Sequence, residues 1–214
     1  MTGLRFQLLP KGTLKPNDAH DPLPYYYSAW VGWLYRHRLE MGLNLLPDGG
    51  QRVLEVGVGS GVLVPTLTAR YRESTGTDLT LARGLQTLVA PGCKAEFRRA
   101  DLLADDLPAA HYDAIVCFSV LEHIADSGAA ARGLARALGP GGTLVCGYPM
   151  VSPLMSRAFS LIGFKGIDDH HISPPAKIAS ALAGVLTPVS RAAFPPAAPV
   201  QAALYQCTAW TKPA

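Results

Sequence analysis

Two periodicities share this chain. Runs that are apolar at nearly every position, such as Val53 to Val56 and Ala114 to Phe118, are short, as buried strands are. Elsewhere apolar residues recur every three or four positions: Trp30, Leu34, His37, Met41 and Leu45; Val62, Leu63, Val64 and Leu67; Ala130, Leu134 and Leu138; Ile178, Leu182 and Val185. Each set occupies one face of a helix. The first helix runs to about Leu46, where Pro47-Asp48-Gly49-Gly50 stops it and turns the chain into a strand at Val53. Further strands are expected at Tyr71 to Asp78, Lys94 to Arg99, Leu144 to Gly147, Thr187 to Phe194 and Gln201 to Thr211. A short helix is expected from Leu81 to about Val89. Asp126 or Ser127 begins the helix of Ala130, and Ser173-Pro174 caps that of Ile178. Residues 1–24 lack periodicity and read as an irregular N-terminal arm. Residues 25–214 read as one domain, with 25–46 as its N-terminal helix or lid.

The densest signal is Val53-Leu54-Glu55-Val56-Gly57-Val58-Gly59-Ser60-Gly61. A strand breaks into three alternate glycines and becomes a helix, which is the entry of a nucleotide-binding β-α unit. Glycine suits the place because a Cβ would hold a ligand off the backbone and oppose the tight turn. The following helix turns unpaired N–H groups and a positive dipole end to the same point. A dinucleotide fingerprint would need glycine at position 62, where Val62 stands, and no G-x-x-x-x-G-K-[S/T] phosphate loop occurs.

Two acids follow. Asp78 lies 17 positions after Gly61, at the tip of the second strand. That is near the spacing at which an acid meets ribose in α/β nucleotide sites, since one carboxylate accepts from two vicinal hydroxyls. Asp-x-Thr also reads as a helix N-cap. Asp101 ends the third strand, where aspartate also serves turns, with Arg98 and Arg99 as alternative partners.

Composition narrows the class. With 49% hydrophobic and 16% charged residues over 214, a sizeable core is affordable in one domain. No run of about 18 apolar residues occurs, so no transmembrane helix is expected. No signal peptide is visible after Met1. Cys93, Cys117, Cys146 and Cys207 are scattered without C-x-x-C spacing and read as reduced thiols of a cytoplasmic protein. A net charge of +3 without a long basic run does not suggest a nucleic-acid surface.

Several stretches then resemble one family. Glu55-x-Gly57-x-Gly59-x-Gly61 resembles the first motif of class I S-adenosylmethionine-dependent methyltransferases, E/D-x-G-x-G-x-G. Ala100-Asp101-Leu102 resembles the third motif. Tyr112-Asp113-Ala114-Ile115 with Val120-Leu121-Glu122-His123 resembles F-D-x-V…V-L-E-H, with Tyr for Phe. Leu138-Gly139-Pro140-Gly141-Gly142-Thr143-Leu144 resembles the L-x-P-G-G-x-L turn, in which Gly139 would end the helix in a left-handed conformation. The likeness covers about Gln51 to Tyr148, in family order, and points to the small-molecule, type 11-like branch that includes quinone methyltransferases. It implies a three-layer α/β/α sandwich whose seven-stranded, mostly parallel sheet has the order 3-2-1-4-5-7-6, strand 7 being antiparallel. It implies S-adenosyl-L-methionine as cofactor and S-adenosyl-L-homocysteine as product. Glu55, Gly57, Gly59 and Gly61 would hold the methionine end, Asp78 and adjoining Leu79 the ribose, and Asp101 and Leu102 the adenine. Phe118 and Ser119 would close the site. Tyr25 and Tyr26 either pack or form a lid, because a Tyr face attracts a sulfonium cation, and Tyr26 is counted with the cofactor residues; Trp30 and Trp33 are expected to pack. The Asn/Asp-Pro-Pro-Tyr/Phe motif of amino methylases is absent, which argues against nucleobase or glutamine acceptors.

Methyl transfer is an in-line displacement that depends mainly on alignment, worth about 7–11 kcal/mol. A base is needed only if the nucleophile arrives protonated. His123, His170 and His171 are the candidates for it. Glu122-His123 resembles a pair that orients the cofactor or, in some quinone methyltransferases, holds a metal; no metal site is assigned. The apolar stretch from Met150 to Phe164 reads either as a helix packed on the sheet or as a lid over an apolar, lipid-linked or glycan-linked acceptor, with peripheral membrane or lipid contact. The favoured reading is O-methylation of a small molecule. Its rivals are a Rossmann-type NAD(P)-dependent oxidoreductase and a non-catalytic cofactor-binding protein.

Overall fold

The protein is described here from a computed structural model covering residues 6–150, 172–196 and 203–213. Seven strands form one sheet: β1 (Gly50–Val56), β2 (Tyr71–Asp78), β3 (Lys94–Arg99), β4 (Tyr112–Phe118), β5 (Leu138–Pro149), β6 (Thr187–Phe194) and β7 (Tyr205–Thr211). Their order is β3-β2-β1-β4-β5-β7-β6, parallel except for β7, which runs antiparallel to β5 and β6. β1 lies between β2 and β4 with Val53 opposite Ser74 and Ala114. A strand hydrogen-bonded on both edges and covered on both faces must be apolar almost throughout, which is why Val53 to Val56 reads as a continuous run.

The side chains show which face each layer covers. Leu54, Ile115, Cys117, Leu144 and Cys146 point to one face, under α4 (Ser127–Ala137) and α5 (Pro175–Ala183), where they meet Ala130, Leu134, Ile178 and Leu182. Val53, Ala114, Val116 and Val145 point to the other, under α2 (Gly32–Leu43) and α3 (Val64–Thr68), where they meet Leu39, Leu43 and Leu67. Period-two alternation between two packed faces is the signature of a three-layer sandwich. Each fully buried Leu, Ile or Val contributes about 1.5–3 kcal/mol. Phe6, Leu14, Leu23 and Tyr26 join the second core, so the arm is packed along the domain.

Local departures have local causes. The N-terminal helical region is two pieces, α1 (Leu23–Tyr26) and α2, not one helix to Leu46. A Cβ on Gly32 would sit 2.8 Å from the Tyr26 carbonyl oxygen, so glycine lets the chain fold back there. Trp30 falls in the break and is 89% exposed; its four-residue spacing to Leu34 therefore means nothing, and it does not pack. Trp33 is also exposed, although its ring meets Phe194 edge-on. His37 has an aromatic partner, Phe194, at 5.3 Å between centroids. The stretch read as a helix after Leu81 is a 3-10 turn, Leu85–Leu88, opened by left-handed Gly84. At the end of α4 the chain enters β5 directly, and the left-handed residue is Gly141, not Gly139. The extra residues before Thr143 are taken up by a register shift against β4 between Tyr112 and Ala114. Asp126 caps α4 by accepting from Ala129 N–H at 2.8 Å. Ser173 does not cap α5; its hydroxyl donates to the Ile124 carbonyl at 2.6 Å. Among the described residues no helix is long and apolar enough to cross a membrane.

Candidate active site

The carboxyl ends of β1 to β4 surround a cavity of about 420 Å³. A crevice at this end of a parallel sheet is the usual ligand position in such folds. β1 leaves the sheet at Val56, and the N–H groups of Gly57 and Val58 both donate to the Thr77 carbonyl, at 2.8 and 3.0 Å. The turn is thereby held over the tip of β2.

Gly57, Gly59 and Gly61 are all left-handed, with φ of 81°, 50° and 80°. Their surroundings separate their roles. A Cβ on Gly57 would overlap Val120, and one on Gly61 would lie 2.6 Å from Leu85 Cδ2. A Cβ on Gly59 would meet only Asp21 Oδ2, at 3.9 Å. Gly59 is therefore the glycine that opens onto free space. Gly57 also borders the cavity, whereas Gly61 lies outside its lining and serves the packing of the turn.

Asp78 holds this turn from below. Its Oδ2 accepts from Gly59 N–H at 2.8 Å, and its Oδ1 from Thr80 N–H at 3.2 Å and from Asn17 Nδ2 at 3.5 Å. A carboxylate offers about four lone-pair positions, so acceptor capacity remains. Leu79, Asp101 and Leu102 line the same side of the cavity. The Asp101 carboxylate accepts from Leu103 N–H at 2.9 Å, and neither Arg98 nor Arg99 pairs with it. Glu55 faces the cavity from β1 at 6% exposure; burial, with Asp78 nearby adding to it, pushes its carboxyl well above the ordinary range.

Phe118, Ser119, His123 and Tyr26 form the opposite wall. Tyr25 is exposed and stacks on Tyr35 away from the cavity. Ser119 is non-glycine yet left-handed, with φ 55°, a conformation that costs about 1–2 kcal/mol and marks a constrained position. It is held there by its N–H, which donates to the Gly147 carbonyl at 2.7 Å. His170 and His171 lie outside the described residues, as does the whole apolar stretch after Met150, up to Phe164.

Two sets of lining residues carried no sequence signal. Asn17 and Asp21 come from the arm. The Asp21 carboxylate accepts from Ser60 Oγ at 3.2 Å and Asn17 N–H at 2.9 Å, which ties the arm across the glycine turn. Arg38 comes from α2. Its Nη2 donates to Tyr26 Oη at 3.0 Å and its Nη1 to Ser119 Oγ at 3.3 Å. Its guanidinium carbon is 4.4 Å from the Tyr35 ring centroid and 5.5 Å from that of Tyr205. Burial disfavours its charge, but the phenols of Tyr26, Tyr205 and Tyr35 outweigh this, so it stays protonated.

Beneath the wall, Glu122 is 2% exposed and neither carboxyl oxygen has a hydrogen-bond partner among the described residues. Burial pushes its pKa up to about 7, against smaller opposing effects of its own backbone N–H and then of Arg38. The unfolded chain gives up this proton near 4.5, the native protein near 7. The native state thus binds more protons across that window, and the group's contribution to stability falls as pH rises through it. Glu122→Gln should match the wild type near pH 4 and exceed its stability at pH 8 by up to about 3 kcal/mol. Thermal melts of both proteins from pH 4 to 8 check this; a difference that does not change with pH contradicts it.

Comparison with known proteins agrees with this geometry. A family model for the methyltransferase domain matches residues 33–184. The chain is 29% identical over 153 residues to a ubiquinone biosynthesis O-methyltransferase of Dechloromonas aromatica, covering 69% of this chain and 62% of that protein. It is 31% identical over 165 residues to the protein of the same name from Nitrosospira multiformis, covering 74% and 64%. It thus spans less than two thirds of these relatives' length. The N-methyltransferase NodS of Bradyrhizobium japonicum, solved with S-adenosyl-L-homocysteine, superposes with a TM-score of 0.64 at 18% identity, over 91% of this chain and 93% of that one. With the family model covering the sheet from before β1 to the end of α5, and the fold shared with NodS, the chain belongs to the methyltransferase-domain family of class I, Rossmann-like architecture.

Proposed function

We propose that this protein transfers a methyl group from S-adenosyl-L-methionine to an oxygen of a small, largely apolar acceptor. The observation that carries the reading is one cavity bordered by Gly59, Asp78 and Asp101, whose size is in the range of about 300–1,000 Å³ usual for small-molecule sites. The residues suit the cofactor. Gly59 leaves room for a ligand against the backbone, and Asp78 retains acceptor capacity for ribose hydroxyls. Asp101 and Leu102 offer an acceptor and an apolar surface for adenine. Gly61 is left out of the contact set, and its part is to shape the turn.

The cofactor supplies a methyl group already activated by a positive sulfur. The chain supplies position: the glycine turn and Asp78 fix one reactant, while Phe118 and Ser119 set the wall against which the other must lie. His123 borders the cavity and is assigned to take the proton of an acceptor hydroxyl. Oxygen is preferred as the methylated atom because the two relatives described above are named O-methyltransferases.

Thermal shift with S-adenosylmethionine, S-adenosylhomocysteine and NAD tests the cofactor. A ligand at 100 times its Kd should add about 2.7 kcal/mol to stability. Stabilisation by NAD and none by S-adenosylmethionine would overturn the reading. Mass spectrometry of cell extracts incubated with the protein and methyl-labelled cofactor tests turnover and reports the acceptor. Unchanged kcat in His123→Gln with that acceptor would remove the histidine from its role.

A further inference from the structure

We propose a separate anion site beside the glycine turn. It takes a phosphate group, free or on a small phosphomonoester, and clamps the N-terminal arm to the segment after Asp78. The inference goes beyond methyl transfer and does not depend on it.

A cavity of about 270 Å³ lies between Thr13, Leu14 and Lys15 of the arm and Arg83, Thr87 and Leu88 of that segment. No residue lines both this cavity and the one at the strand tips. Its inner side is apolar: Leu14 is buried, and Leu88 Cδ1 lies 2.8 Å from where a Cβ on Gly61 would stand. The cavity thus backs onto the packed side of the glycine turn. It is smaller than the roughly 300–1,000 Å³ of drug-sized ligand sites, which suits a phosphate or a short phosphomonoester.

Charge singles the place out. Lys15 and Arg83 border the cavity from two different segments, and no acid lines it. Residues 6–17 carry Lys11 and Lys15 and no acid, and residues 79–93 carry Arg83 and no acid. Neither Lys15 nor Arg83 forms an ion pair among the described residues. Lys15 Nζ donates to the Gly12 carbonyl at 3.3 Å, which leaves two of its three N–H groups for a ligand. Like charges brought to one concavity repel each other, and low-dielectric walls focus their field, so an anion entering there is stabilised. A guanidinium fork and an ammonium are both donors that phosphate oxygens accept from. Thr13 adds a hydroxyl, while the Thr87 hydroxyl donates to the Gly84 carbonyl at 2.7 Å and shapes the wall.

The bonds next to the cavity give occupancy a consequence. Asn17, two residues after Lys15, donates to the Thr80 carbonyl at 3.0 Å and to Asp78 Oδ1 at 3.5 Å. Asp21 then accepts from Ser60 Oγ. A phosphate held by Lys15 and Arg83 together adds one more tie between the same two segments.

Isothermal titration at low ionic strength would compare inorganic phosphate, glycerol 3-phosphate and uncharged glycerol. The wild type should bind one or both phosphates at millimolar concentration or below, and glycerol not at all. Tighter binding of glycerol 3-phosphate supports the site with a phosphomonoester as its ligand; tighter binding of phosphate supports it with the free anion. Lys15→Gln and Arg83→Gln should each weaken binding by about fivefold or more, as loss of a charge-assisted bond would give. Arg132→Gln removes an exposed cation from α4, on the other face of the sheet, and should change it by less than about twofold. Lys15 and Arg83 are exposed, so their variants should fold, and circular-dichroism melts check this. In the wild type, phosphate should slow amide hydrogen exchange in residues 6–17 and 79–90 and leave α4 unchanged. No binding of either phosphate at millimolar concentration overturns the site, as does equal weakening in all three variants. Displacement of phosphate by S-adenosylhomocysteine overturns it too, placing the anion in the cofactor cavity and leaving methyl transfer standing. Binding without slowed exchange in the arm overturns the clamp.

Discussion

Gly59→Val should fold and fail to bind S-adenosylmethionine. The space around Gly59 is the reason. The Cβ of a valine there would meet no protein atom closer than Asp21 Oδ2, at 3.9 Å, and its methyls would reach into the cavity the cofactor needs. The fold would bear the strain of a left-handed β-branched residue, about 1–2 kcal/mol, which lowers the melting temperature without unfolding the domain. Gly57→Val should behave differently, because its side chain would overlap Val120 and the turn itself would have to move. Titration with S-adenosylhomocysteine alongside a thermal melt separates the two. A Gly59→Val protein with undiminished affinity would show that the ligand does not lie along this turn.

Asp78→Ala should raise the Kd for S-adenosylmethionine by about 1–3 kcal/mol, or roughly five- to 150-fold. Two losses combine in that figure. The ribose hydroxyls would lose their acceptor, and Gly59 N–H would lose the bond that holds the turn in its cavity-facing position. Asp78→Asn distinguishes them, because its amide oxygen can still accept from Gly59 N–H while half of the acceptor capacity is gone. The asparagine variant should therefore bind better than the alanine one. Equal losses would mean that the ribose contact is everything, and no loss in either would remove Asp78 from the site.

The parts of the site legible in the sequence are those set by short segments. Glu55, Gly57 and Gly59 follow a buried strand directly, and Asp78 ends the next one. A strand tip at that position in a parallel sheet faces the crevice whatever else the chain does. Asp101, Phe118 and Ser119 were legible for the same reason. Gly61 shows the limit of a motif: its alternate spacing is that of its neighbours, but Leu85 and Leu88 occupy the space beside it. Trp30 shows the limit of periodicity, since the count of three and four continues across a break that Gly32 makes possible. Asn17, Asp21 and Arg38 were not legible. The first two belong to a stretch without periodicity, and Arg38 looks like any polar position on a helix until Tyr26 of α1 and Tyr205 of β7 are seen beside it with Tyr35 of its own helix.

The amino-acid sequence by itself therefore determined the strands, the order of the β-α units, the glycine turn and the acids at the strand tips. Each of these depends on patterns within a few residues and on the rule that parallel strands end on one side. Tertiary structure alone decided that Gly57 and Gly59 border the cavity while Gly61 does not, that the arm closes across the turn through Asp21, and that Arg38, without an ion pair among the described residues, stands in the opposite wall. Those facts depend on contacts between residues tens of positions apart, such as Ser60 with Asp21 and Arg38 with Ser119, and on the space left when the layers pack. No local pattern encodes that space.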